Sequence, residues 1–194
     1  LDENITMNIN AVGTIEFAKK CKSAGVKKFL MSSSCSIYGK SEKLDMVETD
    51  KTEPLTAYAK SKIIVEEALI EMADDTFCVS FLRNSTAYGH SKNLRIDLVV
   101  NNFLACAVGL GEIRIMSDGS PWRPLIHCRD IANAMFLFME ADNNKVNKQI
   151  INVGENSQNF QVKDVADITQ EIFPNVKISY TGEAVADSRD YKVN

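Results

Sequence analysis

The chain has 194 residues, of which 45% are hydrophobic and 25% are charged, a composition typical of one globular domain or one and a half. The net charge of -4 and the pI of about 5.3 leave no electrostatic footprint for a nucleic-acid partner. No run approaches the roughly 18 apolar residues of a membrane span, and no basic-then-apolar leader marks secretion, so we expect a cytoplasmic protein without a membrane partner.

The cysteines and histidines argue against a disulfide framework and against a metal site. The cysteine count is odd and contains no CxxC pair, which predicts free thiols in a reducing compartment. The two histidines lie far apart in the sequence, so we expect no metal site. The cysteines are Cys21, Cys35, Cys78, Cys106 and Cys128.

The first 89 residues alternate between predicted helices and short apolar strands. The expected elements are a helix over 5–24, a strand over 28–31, a polar loop over 40–56, a helix over 57–73 and a strand over 77–82. Gly25 is a natural end for the first helix, and the first strand opens into Ser32–Ser34. This alternation predicts a parallel sheet covered by helices.

The pattern changes after Gly89 but stays mixed. The expected elements are a helix over 97–108, strands over 113–116 and 124–126, a helix over 131–141, a strand over 149–153, a helix over 162–173 and a strand over 176–180. We predict Asp130 as the N-cap of the helix over 131–141 and His127 as a structural residue at a strand end.

The first candidate site is a tyrosine and a lysine on one helix face. Tyr58 and Lys62 are four residues apart, and Val65, Leu69 and Met72 continue that face, so Lys62 stands where a structural helix would place an aliphatic residue. A phenol of pKa about 10 is a poor base near neutrality, but a nearby cation lowers that pKa. The pair therefore suits general acid/base catalysis. The alternative is a tyrosine packed at a helix start beside a solvated lysine.

The second candidate is Ser34, at the end of the strand that precedes Tyr58 by 24 residues. Open α/β sheets bind ligands at the carboxyl ends of their strands, where this hydroxyl could bond the same substrate oxygen that the tyrosine deprotonates. The alternative is ordinary turn chemistry, because serines favour strand ends.

Short motifs recur along nearly the whole chain. They are NAVGT at 10–14, SSSCSIYG at 32–39, YAKSK at 58–62, LR at 82–83, NNF at 101–103, SDG at 117–119, WRPLIH at 122–127, NVG at 152–154 and Arg189. In this order and spacing they resemble the extended short-chain dehydrogenase/reductase family, the NAD-dependent epimerase/dehydratase group.

The resemblance implies a role for each matched residue. Tyr58 would be the general acid/base, Lys62 would lower its pKa and hold the nicotinamide ribose, and Ser34 would orient the substrate hydroxyl. Two further residues would lie near the cofactor, which is NAD with NADP not excluded: Asn10 and Ser85. Five would bind the nucleotide-sugar substrate, with the arginines suited to bidentate phosphate contacts: Asn102, Arg114, Met116, Arg123 and Arg189. For Arg114 the alternative is the solvent face of a strand.

The sequence departs from the family pattern at three places. The glycine-rich pyrophosphate loop has no counterpart in the chain, so we expect it before Leu1. Where 4,6-dehydratases carry an acidic pair after the serine, this chain has Cys35 and Ser36, which disfavours dehydration. Epimerases often carry an asparagine three residues after the arginine of the LR motif, where this chain has Thr86, with Asn84 nearby.

The resemblance implies an α/β fold, an incomplete doubly wound (Rossmann-type) parallel sheet with a smaller α/β substrate-binding domain. Residues 1–89 would be the C-terminal half of the NAD(P)-binding domain, with about 125–153 returning to it, and 90–194 mainly the nucleotide-sugar domain. The expected activity is epimerisation of a nucleotide-linked hexose through a 4-keto intermediate, in a possible homodimer. The alternatives are a 4-keto-sugar reductase and a non-catalytic nucleotide-binding relative.

Overall fold

The computed structural model describes residues 2–182 and 189–194, without the side chains of 41–44, and its architecture is mixed α/β. The strands are β1 (Lys28–Ser34), β2 (Lys40–Met46), β3 (Cys78–Asn84), β4 (Thr86–Tyr88), β5 (Glu112–Ile115), β6 (Trp122–His127), β7 (Ile150–Val153), β8 (Asn159–Gln161), β9 (Lys177–Tyr180) and β10 (Asp190–Val193). The α-helices are α1 (Glu3–Met7), α2 (Thr14–Ser23), α3 (Ala57–Met72), α4 (Val99–Leu110), α5 (Cys128–Glu140), α6 (Asn143–Val146) and α7 (Val162–Ile172).

The main sheet is parallel, in the order β1-β3-β7, and carries helices on both faces. Side chains alternate along β3, so that Phe81 faces the core under α2 and α3 while Leu82 faces the core under α5. All three strands run the same way, so their carboxyl ends lie at one edge, where Ser34 pairs in register with Asn84. This is the arrangement of a doubly wound sheet.

A second core lies between α4 and α7 and the parallel pair β5-β9. It is built from Phe103, Ile113, Ile115, Val165 and Ala166, all of them buried. Strand β6 pairs with β4 in parallel and with β8 in antiparallel orientation. Strand β7 and α5, from the stretch 125–153, pack with the main sheet. The division into a cofactor domain and a substrate domain stays a prediction.

The stretch 40–56, expected as a polar loop, contains a strand. Strand β2 pairs in parallel with β10, from the far end of the described chain. Behind this pair, Tyr191 and Val193 pack against Ile37 and Tyr38 in a small buried cluster. The polar sequence of β2 has no hydrophobic alternation, and its partner lies too far along the chain to be predicted from local pattern.

The remaining differences concern local geometry. Strand β1 continues through Ser34 instead of ending at Met31. The helix expected over 5–24 contains a π-helical segment, Asn8–Gly13, between α1 and α2. The prediction of Asp130 as a cap was wrong, because α5 begins at Cys128 and the His127 side chain accepts the cap bond from the Arg129 amide.

In the described ranges every helix is too short or too polar to cross a membrane. The five cysteines are free thiols.

Candidate active site

Helix α3 places Tyr58 and Lys62 beside the end of β1. The helix begins at a cap in which Thr56 Oγ1 accepts a hydrogen bond of 3.1 Å from the Ala59 amide, and so satisfies one of the free donors of the first turn. Val65 and Leu69 are fully buried against the main sheet, which fixes the rotation of the helix about its axis. Tyr58, in the first turn, is partly buried and remains 42% exposed.

The Ser34 hydroxyl lies beside the Tyr58 phenol and lowers its pKa. Ser34 caps the 3₁₀ helix Cys35–Tyr38: its Oγ accepts from the Ser36 amide at 3.2 Å and donates to Ser36 Oγ at 2.9 Å. These contacts hold Ser34 Oγ at the end of β1, with its proton directed to Ser36. That Ser34 and Tyr58 act together stays a prediction.

The electrostatics around Tyr58 differ from the expectation. Burial raises the pKa of the Tyr58 phenol, against the opposing effects of the Ser34 hydroxyl and the positive charges of Arg95 and Arg189. The Lys62 ammonium lies 5.3 Å from the centroid of the Tyr58 ring and donates a hydrogen bond of 2.8 Å to the carbonyl of Ser32. In this state the cations that favour the phenolate are thus two arginines that the sequence motifs did not assign to that task.

Lys62 is itself influenced by its surroundings. Burial lowers the pKa of its ammonium group, and the Glu66 carboxylate, one helical turn further along α3, opposes that shift. Because Lys62 is also anchored to the end of β1, its position is set by both the helix and the strand.

The predicted cofactor residues lie at the same sheet edge or on the neighbouring helix. Ser85 is 4% exposed, follows β3 directly and donates its amide to Val153 at 2.9 Å. A Cβ on Gly154 would lie 2.6 Å from Ser85 Oγ, so the backbone after β7 approaches this hydroxyl closely. Asn84 Oδ1 is buried without a partner among the described residues. Asn10 is half-buried in the π-helical segment, which packs against α3.

A cleft of about 260 Å³ runs between α4, β5, β6 and the segment that begins at Arg189. All five predicted substrate residues line this cleft: Asn102, Arg114, Met116, Arg123 and Arg189. The structure thus brings together residues from four separate parts of the sequence. Whether they bind a substrate remains a prediction.

The arginines of the cleft are held in different ways. Arg123 Nη1 donates to the carbonyls of Trp122, at 2.8 Å, and Arg189, at 2.6 Å, so Arg123 fixes the backbone of the last described segment. Arg114 pairs with Glu112 at 3.1 Å and is largely exposed, which is compatible with both of its predicted interpretations.

Two features of the site, the charge of Arg95 and the buried Glu66, were not predicted from the sequence. Arg95 is paired with Asp97, which lines the cleft, and its charge reaches Tyr58. No motif marks that loop. Glu66 is buried beneath Tyr58 and Lys62, and its position eight residues after Tyr58 on the same helix face was the available signal.

Comparison with known proteins identifies the group to which this site belongs. The family model described as "NAD dependent epimerase/dehydratase family" matches residues 1–154. The chain is 27% identical to UDP-glucose 4-epimerase of Halalkalibacterium halodurans, over 84% of this chain and 53% of that protein. It is 31% identical to the enzyme of that name from Neisseria meningitidis serogroup C, over 75% of this chain and 48% of that protein.

The fold agrees with a solved structure of the same kind. The structure described as "MoeE5 in complex with UDP-glucuronic acid and NAD" superposes with a TM-score of 0.83 at 25% identity, and covers 95% of this chain and 61% of that chain. The chain spans about half the length of the curated relatives that it matches. Since the family model covers most of the sequence, the chain belongs to the NAD dependent epimerase/dehydratase family.

Proposed function

We propose that the protein is an NAD-dependent epimerase of a nucleotide-linked hexose that acts through a 4-keto intermediate. The observation that carries the proposal is the close placement of Ser34, Tyr58 and Lys62 at an edge where the ends of three parallel strands meet. The curated relatives named UDP-glucose 4-epimerase favour UDP-hexoses as substrates. NADP remains an alternative cofactor, and a homodimer remains a prediction.

The groups at the strand ends fit the nicotinamide part of such a cofactor. The unpartnered Asn84 Oδ1 is an acceptor suited to an amide N–H, and the Lys62 ammonium is a donor suited to ribose hydroxyls. Ser85 and Asn10 are the other residues that we expect to hold it. When bound, the cofactor would supply reversible hydride transfer at the sugar C4 carbon.

The protein's own residues would handle the proton. Tyr58, as phenolate, would take the proton from the C4 hydroxyl and later return it, which is the role of a general acid/base. Ser34 would donate a hydrogen bond to the same oxygen as charge develops on it. The two arginines near Tyr58, Arg95 and Arg189, would favour the phenolate against the effect of burial. The cleft, with Arg123 and Arg189, would hold the diphosphate and leave the sugar next to Tyr58.

Epimerisation is favoured over dehydration by the residue that follows Ser34. Elimination of water requires a residue there that releases a proton. Burial raises the pKa of the Cys35 thiol to about 12, so the thiol does not release its proton near neutrality. A 4-keto reductase would use the same three residues. It is distinguished by product, because an epimerase leaves no net change in NADH.

The test is the Tyr58→Phe variant of the protein expressed from its whole gene, assayed with NAD and UDP-galactose for formation of UDP-glucose. We expect turnover to fall by about 100-fold or more, the scale of losing a general acid/base, with little change in substrate affinity. Tyr180→Phe is the control, because Tyr180 is 51% exposed and lies outside the catalytic helix. Near-normal turnover in Tyr58→Phe would eliminate the proposed mechanism.

A further inference from the structure

Three side chains of α3, one helical turn apart, contact three consecutive serines at the end of β1. Ser34 lies beside the Tyr58 phenol, and Lys62 Nζ donates to the Ser32 carbonyl at 2.8 Å. In the third contact Ser33 Oγ donates to Glu66 Oε1 at 2.5 Å. The first two contacts belong to the proposed catalytic groups. The third lies directly beneath them, and its residues are buried.

Glu66 is fixed from the opposite side by an arginine of β3. Arg83 donates from Nε to Glu66 Oε1 at 3.1 Å and from Nη2 to Oε2 at 2.8 Å, a bidentate geometry that allows a single arrangement of the carboxylate. The two side chains are only 6% and 4% exposed. Arg83 Nη1 also donates to Tyr38 Oη at 3.1 Å and to the Glu48 carbonyl at 3.0 Å.

A buried ion pair of this kind is a poor source of stability. The cost of removing two charges from water often exceeds what their attraction returns, and apolar residues of similar volume can stabilise a core equally well. The pair does fix orientation, because its five hydrogen bonds, the one from Ser33 included, connect β1, α3, β3 and the segment 38–48. The effect of Glu66 on the pKa of Lys62 shows that its charge reaches the catalytic face.

We propose that Glu66, held by Arg83, is a positioning residue that fixes the end of β1 against α3 and thereby sets the placement of Ser34 relative to Tyr58. The inference rests on the proposed function, since it assigns Glu66 to the same site. In this role Glu66 would touch neither substrate nor cofactor. It acts through Ser33, the immediate neighbour of Ser34.

The experiment compares two adjacent glutamates in the protein expressed from its whole gene. Glu66→Gln leaves a side chain of the same shape without the charge, and Glu67→Gln, at an exposed position, is the matched control. We expect Glu66→Gln to lower kcat by about 10- to 100-fold, the scale of misplaced reacting groups, with an unchanged KM for UDP-galactose. Ser33→Ala, which removes only the strand side of the contact, should lower kcat in the same direction with little change in melting temperature.

A double variant separates positioning from stability. Glu66→Leu combined with Arg83→Met removes both charges, so we expect the melting temperature to recover relative to Glu66→Gln while kcat stays low. Recovery of kcat together with stability would overturn the inference, as would an unchanged kcat in Ser33→Ala.

Amide hydrogen exchange at residues 32–34 provides a measurement that does not depend on activity. It should be faster in Glu66→Gln than in Glu67→Gln. If the unmodified protein shows no epimerase activity, the proposed function fails, and the exchange comparison still decides whether Glu66 holds the strand end. Equal exchange in the two variants would overturn the inference.

Discussion

Replacing Arg123 by lysine tests whether the cleft binds a diphosphate. Arg123 lines the cleft with Arg189 and Asn102, and two backbone carbonyls already orient its guanidinium through Nη1. A preorganised side chain loses less freedom when a ligand binds. Lysine keeps the charge but replaces a planar fork with a compact ammonium group, which cannot bond two phosphate oxygens in the same geometry.

The size of the effect follows from the bonds at stake. A hydrogen bond to a charged group is worth about 1.5–3 kcal/mol, and the lysine would keep part of it, so we expect a loss of about 1–3 kcal/mol in binding free energy. That corresponds to a dissociation constant weaker by about 5- to 150-fold. Some loss of stability should accompany it, because the bond from Arg123 to the Arg189 carbonyl also fixes the segment that pairs with β2.

The assay is calorimetric titration with UDP, a nucleoside diphosphate that cannot be turned over, together with the melting temperature of each variant. Arg129→Lys is the control, because Arg129 is an exposed arginine of α5. An unchanged dissociation constant in Arg123→Lys, combined with a lower melting temperature, would refute the diphosphate role and leave Arg123 as a structural residue that holds the Arg189 backbone.

Three further predictions concern stability and reactivity. Thr56→Ala removes the cap of helix α3 and should lower the free energy of unfolding by about 1 kcal/mol in urea titration. An unchanged free energy of unfolding would mean that the Ala59 amide finds another acceptor. Gly39→Ala should destabilise the folded protein strongly, because Gly39 has φ of 65° and a Cβ there would meet the Glu53 carbonyl. Gly109→Ala should be tolerated, because the space around Gly109 is open. Cys35 should resist iodoacetamide at about pH 8, because its pKa of about 12 leaves almost no thiolate, while the half-buried Cys21 and Cys106 react first in mass spectrometry.

The parts of the fold that could be predicted are those with a local signal. Helix α3 and strand β3 have clear apolar patterns, and their predicted bounds agree with the structure to within two residues. Strand β2 could not be predicted, because its residues are polar and its pairing depends on β10. The cap of α5 was misassigned for a different reason: Asp130 is the more common capping residue, but β6 ends at His127 and leaves that side chain to accept the bond.

The candidate site was predictable where short motifs carry it. The five residues predicted to bind the substrate line one cleft, although they come from distant parts of the chain. Motif positions do not give electrostatics, so the raised pKa of Tyr58 and the influence of Arg95 emerge only from three-dimensional proximity. The buried Glu66–Arg83 pair was overlooked, because a charged residue in a helix is normally read as solvent-exposed, although Glu66 shares a helix face with Tyr58.

The pairing of β2 with β10 also has a consequence for the order in which the protein matures during synthesis. Residues 40–46 emerge from the ribosome well before their partner strand, residues 190–193. At synthesis rates of about 5–20 residues per second, the nascent chain waits about 7–30 seconds with this edge unpaired. Tyr191 and Val193 also complete the cluster around Ile37 and Tyr38, which supports the loop after Ser34. We therefore expect Ser34 to reach its final environment only after translation has passed Val193, and nascent chains that stop earlier to expose a strand edge that chaperones can bind.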